Sequence, residues 1–214
     1  MRMKLLAITR MNNYIGYAPE AVIIPLALLA LAIVFKRRYL AIFIVIVFIC
    51  LLFFYRGANL PDEVPDSNTM ISPCNGRVLK IKEHGSHIQI SVFLNVHNIH
   101  VQYSPIRGKI LSIVHKEGEF HPAYLFEKSQ YNERVETTLA TEFGNVTVIQ
   151  IAGQIARRIV SFLENGQTVE RGEPLGLIKF GSRVDIWIPA ESVSNILIND
   201  GDYLDVGVPI VRLK

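Results

Sequence analysis

Residues 165–179, NGQTVERGEPLGLIK, decide the fold, because residues 200–214, DGDYLDVGVPIVRLK, repeat them at a fixed offset of 35. Gly166 aligns with Gly201, Gly172 with Gly207 and Pro174 with Pro209. Each copy reads as a turn, a short strand, a second turn, a proline and a longer strand. Glycine supplies the backbone conformations of tight turns, and proline can open a strand without donating to its ladder. Working outward, RVLKIKE (77–83), HIQISVFL (87–94), KILSIVH (109–115), NVTVIQI (145–151) and VDIWIP (184–189) are short alternating runs bounded by turns. With PLGLIKF (174–180) and PIVRL (209–213) they predict a mainly β domain, a barrel or sandwich of duplicated hairpins with one or two helices. One helix is expected in QIARRIVSFL, 154–163, with Ile155, Ile159, Phe162 and Leu163 on one face and Arg157 and Arg158 toward the other. In IKFGSRVDIWI, 178–188, the Gly181-Ser182 pair is out of place in an apolar strand and marks a bulge, a kink or a reactive bond.

The N-terminal part has a different character. Residues 21–35 and 39–55 carry no charge and are separated only by Lys36-Arg37-Arg38. Both runs are apolar all round, so the expectation is a membrane-anchoring helical hairpin over 1–56, spanning or deeply re-entrant. The residues after it, 57–69, are rich in Pro, Asp and Asn and read as a linker, with the second domain at 70–214. The first 60 residues hold seven Lys/Arg against the single acid Glu20, a net +6, and the remaining 15 basic and 18 acidic residues give −3. The basic excess therefore belongs to the hairpin, which argues against nucleic acid as a partner. The positive residues flanking the hairpin favour the cell membrane as location, with the second domain on the cytoplasmic side. Cys50 and Cys74 lie in unrelated contexts and do not suggest a disulfide.

Candidate chemistry is sparse. His97 and His100 stand three apart in a strand-like stretch, a spacing that does not put both rings on one face, and no metal set is expected. Duplicated hairpins resemble the lipoyl/biotinyl carrier domain, yet neither copy presents a lysine at its tip. A non-catalytic, membrane-tethered adaptor of that kind is the alternative function.

SPCNG (72–76), FLNVHNIHV with SPIRGKI (93–110), NER (132–134), QIAGQIARRIV (150–160) and FGSRVD (180–185) together resemble the pyruvoyl-dependent phosphatidylserine decarboxylases, in particular their short archaeal and bacterial type. The resemblance covers residues 56–214. It implies a proenzyme that cuts itself between Gly181 and Ser182 into a β chain, 1–181, and an α chain, 182–214. Ser182 would become a pyruvoyl group that holds the substrate as a Schiff base, with neither metal nor pyridoxal phosphate. The implied substrate is phosphatidylserine or its archaeal ether analogue, and a homo-oligomer is admitted. The resemblance makes His100 the base and proton donor, and Arg157 and Arg158 candidates for the lipid phosphate, since guanidinium suits phosphate geometry. Asn75 stands where the family has an aspartate. An aspartate beside a histidine fixes its tautomer, so Asn75→Asp is expected to accelerate self-cleavage, and an unprocessed, silent relative of the family is a further alternative.

Overall fold

The computed structural model describes residues 13–61, 66–154, 158–179 and 182–214. Two compact units divide between Ala58 and Asn59.

In the first unit, helix α1 (Glu20–Val34) and helix α2 (Arg38–Phe54) form a hairpin. The turn is closed by Arg37 N–H donating to the Ala32 carbonyl at 2.8 Å, with Lys36 at a φ of 54°. Tyr14 N–H donates to the Tyr55 carbonyl at 2.8 Å and Asn13 Nδ2 to that of Leu52 at 2.8 Å, tying the hairpin's open end. Ala21, Pro25, Ala32, Ile44 and Phe54 are buried, whereas Ile23, Ile24, Ile33, Phe43, Ile46 and Ile49 are exposed. The helices have 15 and 17 residues, and among the described residues no helix is long and apolar enough to cross a membrane. At a rise of about 1.5 Å per residue they fall short of the roughly 30 Å hydrocarbon layer, so of the two expected courses the spanning one is not supported.

The second unit is mainly β. Its strands are β1 (Thr69–Ile71), β2 (Gly76–His84), β3 (His87–Leu94), β4 (Val101–Tyr103), β5 (Gly108–Lys116), β6 (Arg134–Thr141), β7 (Gly144–Ala152), β8 (Ile159–Ser161), β9 (Thr168–Val169), β10 (Pro174–Ile178), β11 (Ser182–Pro189), β12 (Val193–Ile196), β13 (Tyr203–Leu204) and β14 (Pro209–Leu213), with a single turn of helix, α3 (Phe126–Ser129), between β5 and β6. A curled antiparallel sheet runs β13-β2-β3-β11-β7-β6-β5-β9, and two three-stranded sheets, β1-β14-β12 and β4-β10-β8, complete the unit.

The duplication extends beyond the offset of 35. β9 and β10 map onto β13 and β14, and the turn glycines adopt matching left-handed conformations: φ is 85° at Gly166 and 91° at Gly201, 81° at Gly172 and 88° at Gly207. A second offset, 32, maps β1 and β2 onto β4 and β5 and Ser72-Pro73-Cys74-Asn75-Gly76 onto Ser104-Pro105-Ile106-Arg107-Gly108. The halves clasp reciprocally: Tyr103 N–H donates to the Pro73 carbonyl at 2.8 Å, and Ile71 N–H to that of Pro105 at 3.0 Å. Strand pairing obeys the same relation, Leu204 lying opposite Gly76 as Val169 lies opposite Gly108.

The seven runs read from the sequence are all strands, but the expected helix is not formed in its described part. Ile159–Ser161 is β8, paired with Gly176–Ile178 of β10, while Ile155 and Arg157 lie outside the described residues. The apolar spacing at 159, 162 and 163 suits either structure, and β10 offers backbone partners that a helix would leave unpaired. Gly181-Ser182 does not interrupt one strand either. β10 and β11 belong to different sheets, and Ser182 is the first residue of β11.

Candidate active site

β11 lies between β3 and β7 along its length, Ser182 facing Leu94 on one side and Ala152 on the other. Val184, Ile186 and Ile188 bury one face of the strand in the core, at about 2 kcal/mol per side chain. Arg183 and Asp185, on the other face, are also buried. Arg183 Nη2 donates to Asp185 Oδ2 at 3.0 Å and Nε stands 2.9 Å from Oδ1. Nη1 donates to Ser129 Oγ at 2.6 Å and to the Phe126 carbonyl at 3.2 Å, and the guanidinium lies 4.6 Å from the centre of the Phe126 ring. This pair ties α3 to the face of β11 that points away from the core. Burial pushes the Asp185 carboxyl up, while Arg183 and hydrogen bonds from Ser91, Arg183 and Gln89 pull it down.

Ser182 is fully buried, and its Oγ has no hydrogen-bond partner among the described residues. A buried hydroxyl normally finds one, and leaving it without costs about 1–3 kcal/mol. Gly181 lies outside the described residues.

His100 is fully buried just before β4. Ile178 N–H at the end of β10 donates to its carbonyl at 3.1 Å, and the chain reaches Ser182 four residues later. From the other side, β3 ends at Leu94, the partner of Ser182, and runs through residues 95–99 to His100. The histidine thus belongs to the same end of the sheet as the serine. His100 Nδ1 is 2.9 Å from the Asn98 carbonyl. A carbonyl only accepts, so Nδ1 carries the proton and, in the neutral ring, Nε2 keeps the lone pair.

Asn75 does not hydrogen-bond to His100; the expected side-chain partner of the imidazole is replaced by a backbone carbonyl. Asn75 Oδ1 accepts from Asn98 Nδ2 at 2.5 Å, from Tyr203 Oη at 3.3 Å and from Ile99 N–H at 3.4 Å. Its Nδ2 donates to the Leu204 carbonyl at 3.2 Å and to Asp205 Oδ1 at 2.6 Å. Asn98 Oδ1 accepts from Asn95 N–H at 2.7 Å, and Asn98 Nδ2 also donates to Tyr203 Oη. Gly76 completes the turn, since a Cβ there would lie 2.3 Å from the Phe93 carbonyl oxygen.

Arg158 is exposed, and its carbonyl accepts from Lys179 N–H at 3.2 Å, which places its backbone next to the segment leading to Ser182. Arg157 lies outside the described residues. Cys74 is buried, and burial pushes its thiol well up, so it is no nucleophile.

The reading from sequence missed Asn98, Tyr203, Asp205 and the Arg183–Asp185 pair. Asp205 was within reach: the offset of 35 aligns it with Glu170, and the offset of 32 aligns Asn75 with Arg107. Arg107 Nε and Glu170 Oε1 form an ion pair at 3.1 Å, so both halves place an acid opposite this position.

The described site is thus a duplicated β domain that buries a serine at the start of β11 and, just before β4, a histidine whose Nδ1 faces a main-chain carbonyl. The phosphatidylserine decarboxylase family model matches residues 50–212, and the chain belongs to that family. It is 34% identical over 186 residues to a phosphatidylserine decarboxylase proenzyme of Carboxydothermus hydrogenoformans, covering 82% of this chain and 85% of the relative. Over 155 residues it is 43% identical to a proenzyme of the same description from Thermobifida fusca, covering 72% and 69%. A putative archaetidylserine decarboxylase proenzyme of Methanosarcina acetivorans is 41% identical over 158 residues, covering 74% and 72%. The chain is thus a decarboxylase of a self-processing type, and the carrier or adaptor alternative is not favoured.

Proposed function

We propose that this chain cleaves itself before Ser182 and then decarboxylates phosphatidylserine or its ether-lipid analogue at the membrane. The buried, unpartnered Ser182 Oγ carries the reading. The hydroxyl oxygen attacks the carbonyl carbon of residue 181, its proton passes to His100 Nε2, and the 181–182 amide becomes an ester. Loss of the Ser182 α-proton expels the residue 181 carboxylate, leaving dehydroalanine, which takes up water and releases ammonia to give a terminal ketone. The cradle suits such a group: Ser182 is sealed from solvent, and Arg183 and Asp185 fix the strand behind it. The pyruvoyl ketone supplies the electron sink for carbon dioxide loss from an amino-acid headgroup. His100 then returns a proton, and Arg158 meets the lipid phosphate, to which a guanidinium is suited.

The hairpin is the membrane attachment. Its exposed isoleucines and phenylalanines favour insertion into the bilayer, and its length favours a re-entrant course over a full crossing. A catalytic unit on the cytoplasmic side follows from the positive flanks.

Purified full-length protein is expected as two fragments, 1–181 and 182–214, the smaller one lighter by an ammonia than simple hydrolysis would leave it. Ser182→Ala is expected to stay intact and release no carbon dioxide from phosphatidylserine vesicles. Arg158→Ala is expected to raise KM for the vesicle lipid. An uncut wild-type chain that still releases carbon dioxide would overturn the reading.

A further inference from the structure

Asn75 is oriented without ambiguity. Two donors, Asn98 Nδ2 and Tyr203 Oη, and the Ile99 N–H meet its oxygen, and two acceptors, the Leu204 carbonyl and the Asp205 carboxylate, meet its nitrogen. A carboxylate at residue 75 would turn one oxygen toward both acceptors, with Asp205 Oδ1 at the 2.6 Å now spanned by a hydrogen bond. Like charges at such separation disfavour joint ionisation. The position therefore takes a donor in this chain, as its duplicate does with Arg107 against Glu170.

The consequence reaches His100 in three contacts. Asp205 draws the Asn75 amide nitrogen toward itself, which leaves the Asn75 oxygen for Asn98 Nδ2. Asn98 is thereby held at both side-chain atoms, its oxygen taking Asn95 N–H, and its main-chain carbonyl is presented to His100 Nδ1.

We propose that Asp205 is a positioning residue for self-cleavage: its carboxylate orients the Asn75 amide so that the Asn98 carbonyl holds His100 with Nε2 as the basic nitrogen. Leu204 and Asp205 belong to the fragment released by cleavage, whereas Asn75, Asn98 and His100 belong to the larger one, so the arrangement is assembled from both sides of the bond it helps to break. It rests on the self-processing reading above. It also reverses the expectation for Asn75→Asp, which here removes a donor and adds a second acid.

The test is an exchange of the two groups in the full chain. Asp205→Asn and Asn75→Asp are each expected to slow fragment formation tenfold or more, and the double variant Asn75→Asp/Asp205→Asn to recover to within about threefold of wild type, because carboxylate and amide only change places. In Ser182→Ala protein, which does not depend on cleavage, nitrogen-15 spectra are expected to show the Nδ1–H tautomer of His100 dominant. That dominance is expected to be lost with Asp205→Asn and restored by the exchange. Asp205 is exposed, so its substitution does not threaten the fold. Wild-type cleavage rate or an unchanged tautomer in Asp205→Asn would overturn the proposal, as would faster cleavage in Asn75→Asp or a double variant no better than either single one. A wild-type chain that never cleaves but shows the expected tautomer changes would overturn the self-processing reading while leaving the link from Asp205 to the His100 tautomer intact.

Discussion

Ser182 and Arg183 divide the labour at the start of β11. The serine is buried with its hydroxyl unspent, and both terminal nitrogens of the arginine hold the strand and α3 together. A buried ion pair of this kind contributes little net stability against an apolar pair, but breaking it strands a charge. In the uncleaved Ser182→Ala background, Arg183→Met is therefore expected to destabilise the fold by about 3–5 kcal/mol, and Arg183→Met/Asp185→Leu by much less. Urea unfolding midpoints decide it. An Arg183→Met protein as stable as its parent would mean that Asp185 is content without its partner. The Gly181-Ser182 dipeptide drew attention in the sequence because it stands in a long motif. The ion pair was not, because two charges two apart in an apolar run say nothing about which face is covered.

At the scale of elements, the hairpin is the clearest case of composition deciding structure. Two uncharged runs of 15 to 17 residues with a basic turn could form little else, and both helices follow. Many of their large side chains are exposed, Ile24 and Ile46 among them, which is the ground on which the hairpin is proposed as the membrane attachment. Ile24→Arg with Ile46→Arg is expected to move the protein from a carbonate-washed membrane pellet to the supernatant, since each arginine costs roughly 2.5–3.5 kcal/mol within the bilayer. Retention of the double variant in the pellet would point to attachment by another surface. Residues 158–163 show the opposite case. Their spacing satisfies a helix, yet Val160 and Ser161 pair with Leu177 and Gly176, because β10 would otherwise present an open edge.

On the scale of the whole molecule, the duplication gives the two halves equivalent turns in different surroundings. Equivalent turns carry Asn75 opposite Asp205 and Arg107 opposite Glu170, but the second pair is exposed while Asn75 is buried beneath Tyr203 and Asn98. The α chain would supply β11, β12, β13 and β14, with β11 between β3 and β7 inside the large sheet. Cleavage at 182 is consequently expected to leave the fragments together in native gel filtration and to separate them only in denaturant. Spontaneous loss of the 182–214 fragment from native protein would contradict the register of β11.

The sequence by itself determined the β class, the duplicated hairpins, the apolar N-terminal hairpin and the motifs around Gly181-Ser182. These are properties of period and composition within a few residues, where one side chain constrains the next. Only the tertiary structure decided that β8 is a strand, that a main-chain carbonyl orients His100, and that Asp205 reaches Asn75 across 130 positions of chain. Such partners are chosen by sheet pairing between distant segments, and hydrogen-bonding groups leave no periodic trace of the partner they will meet.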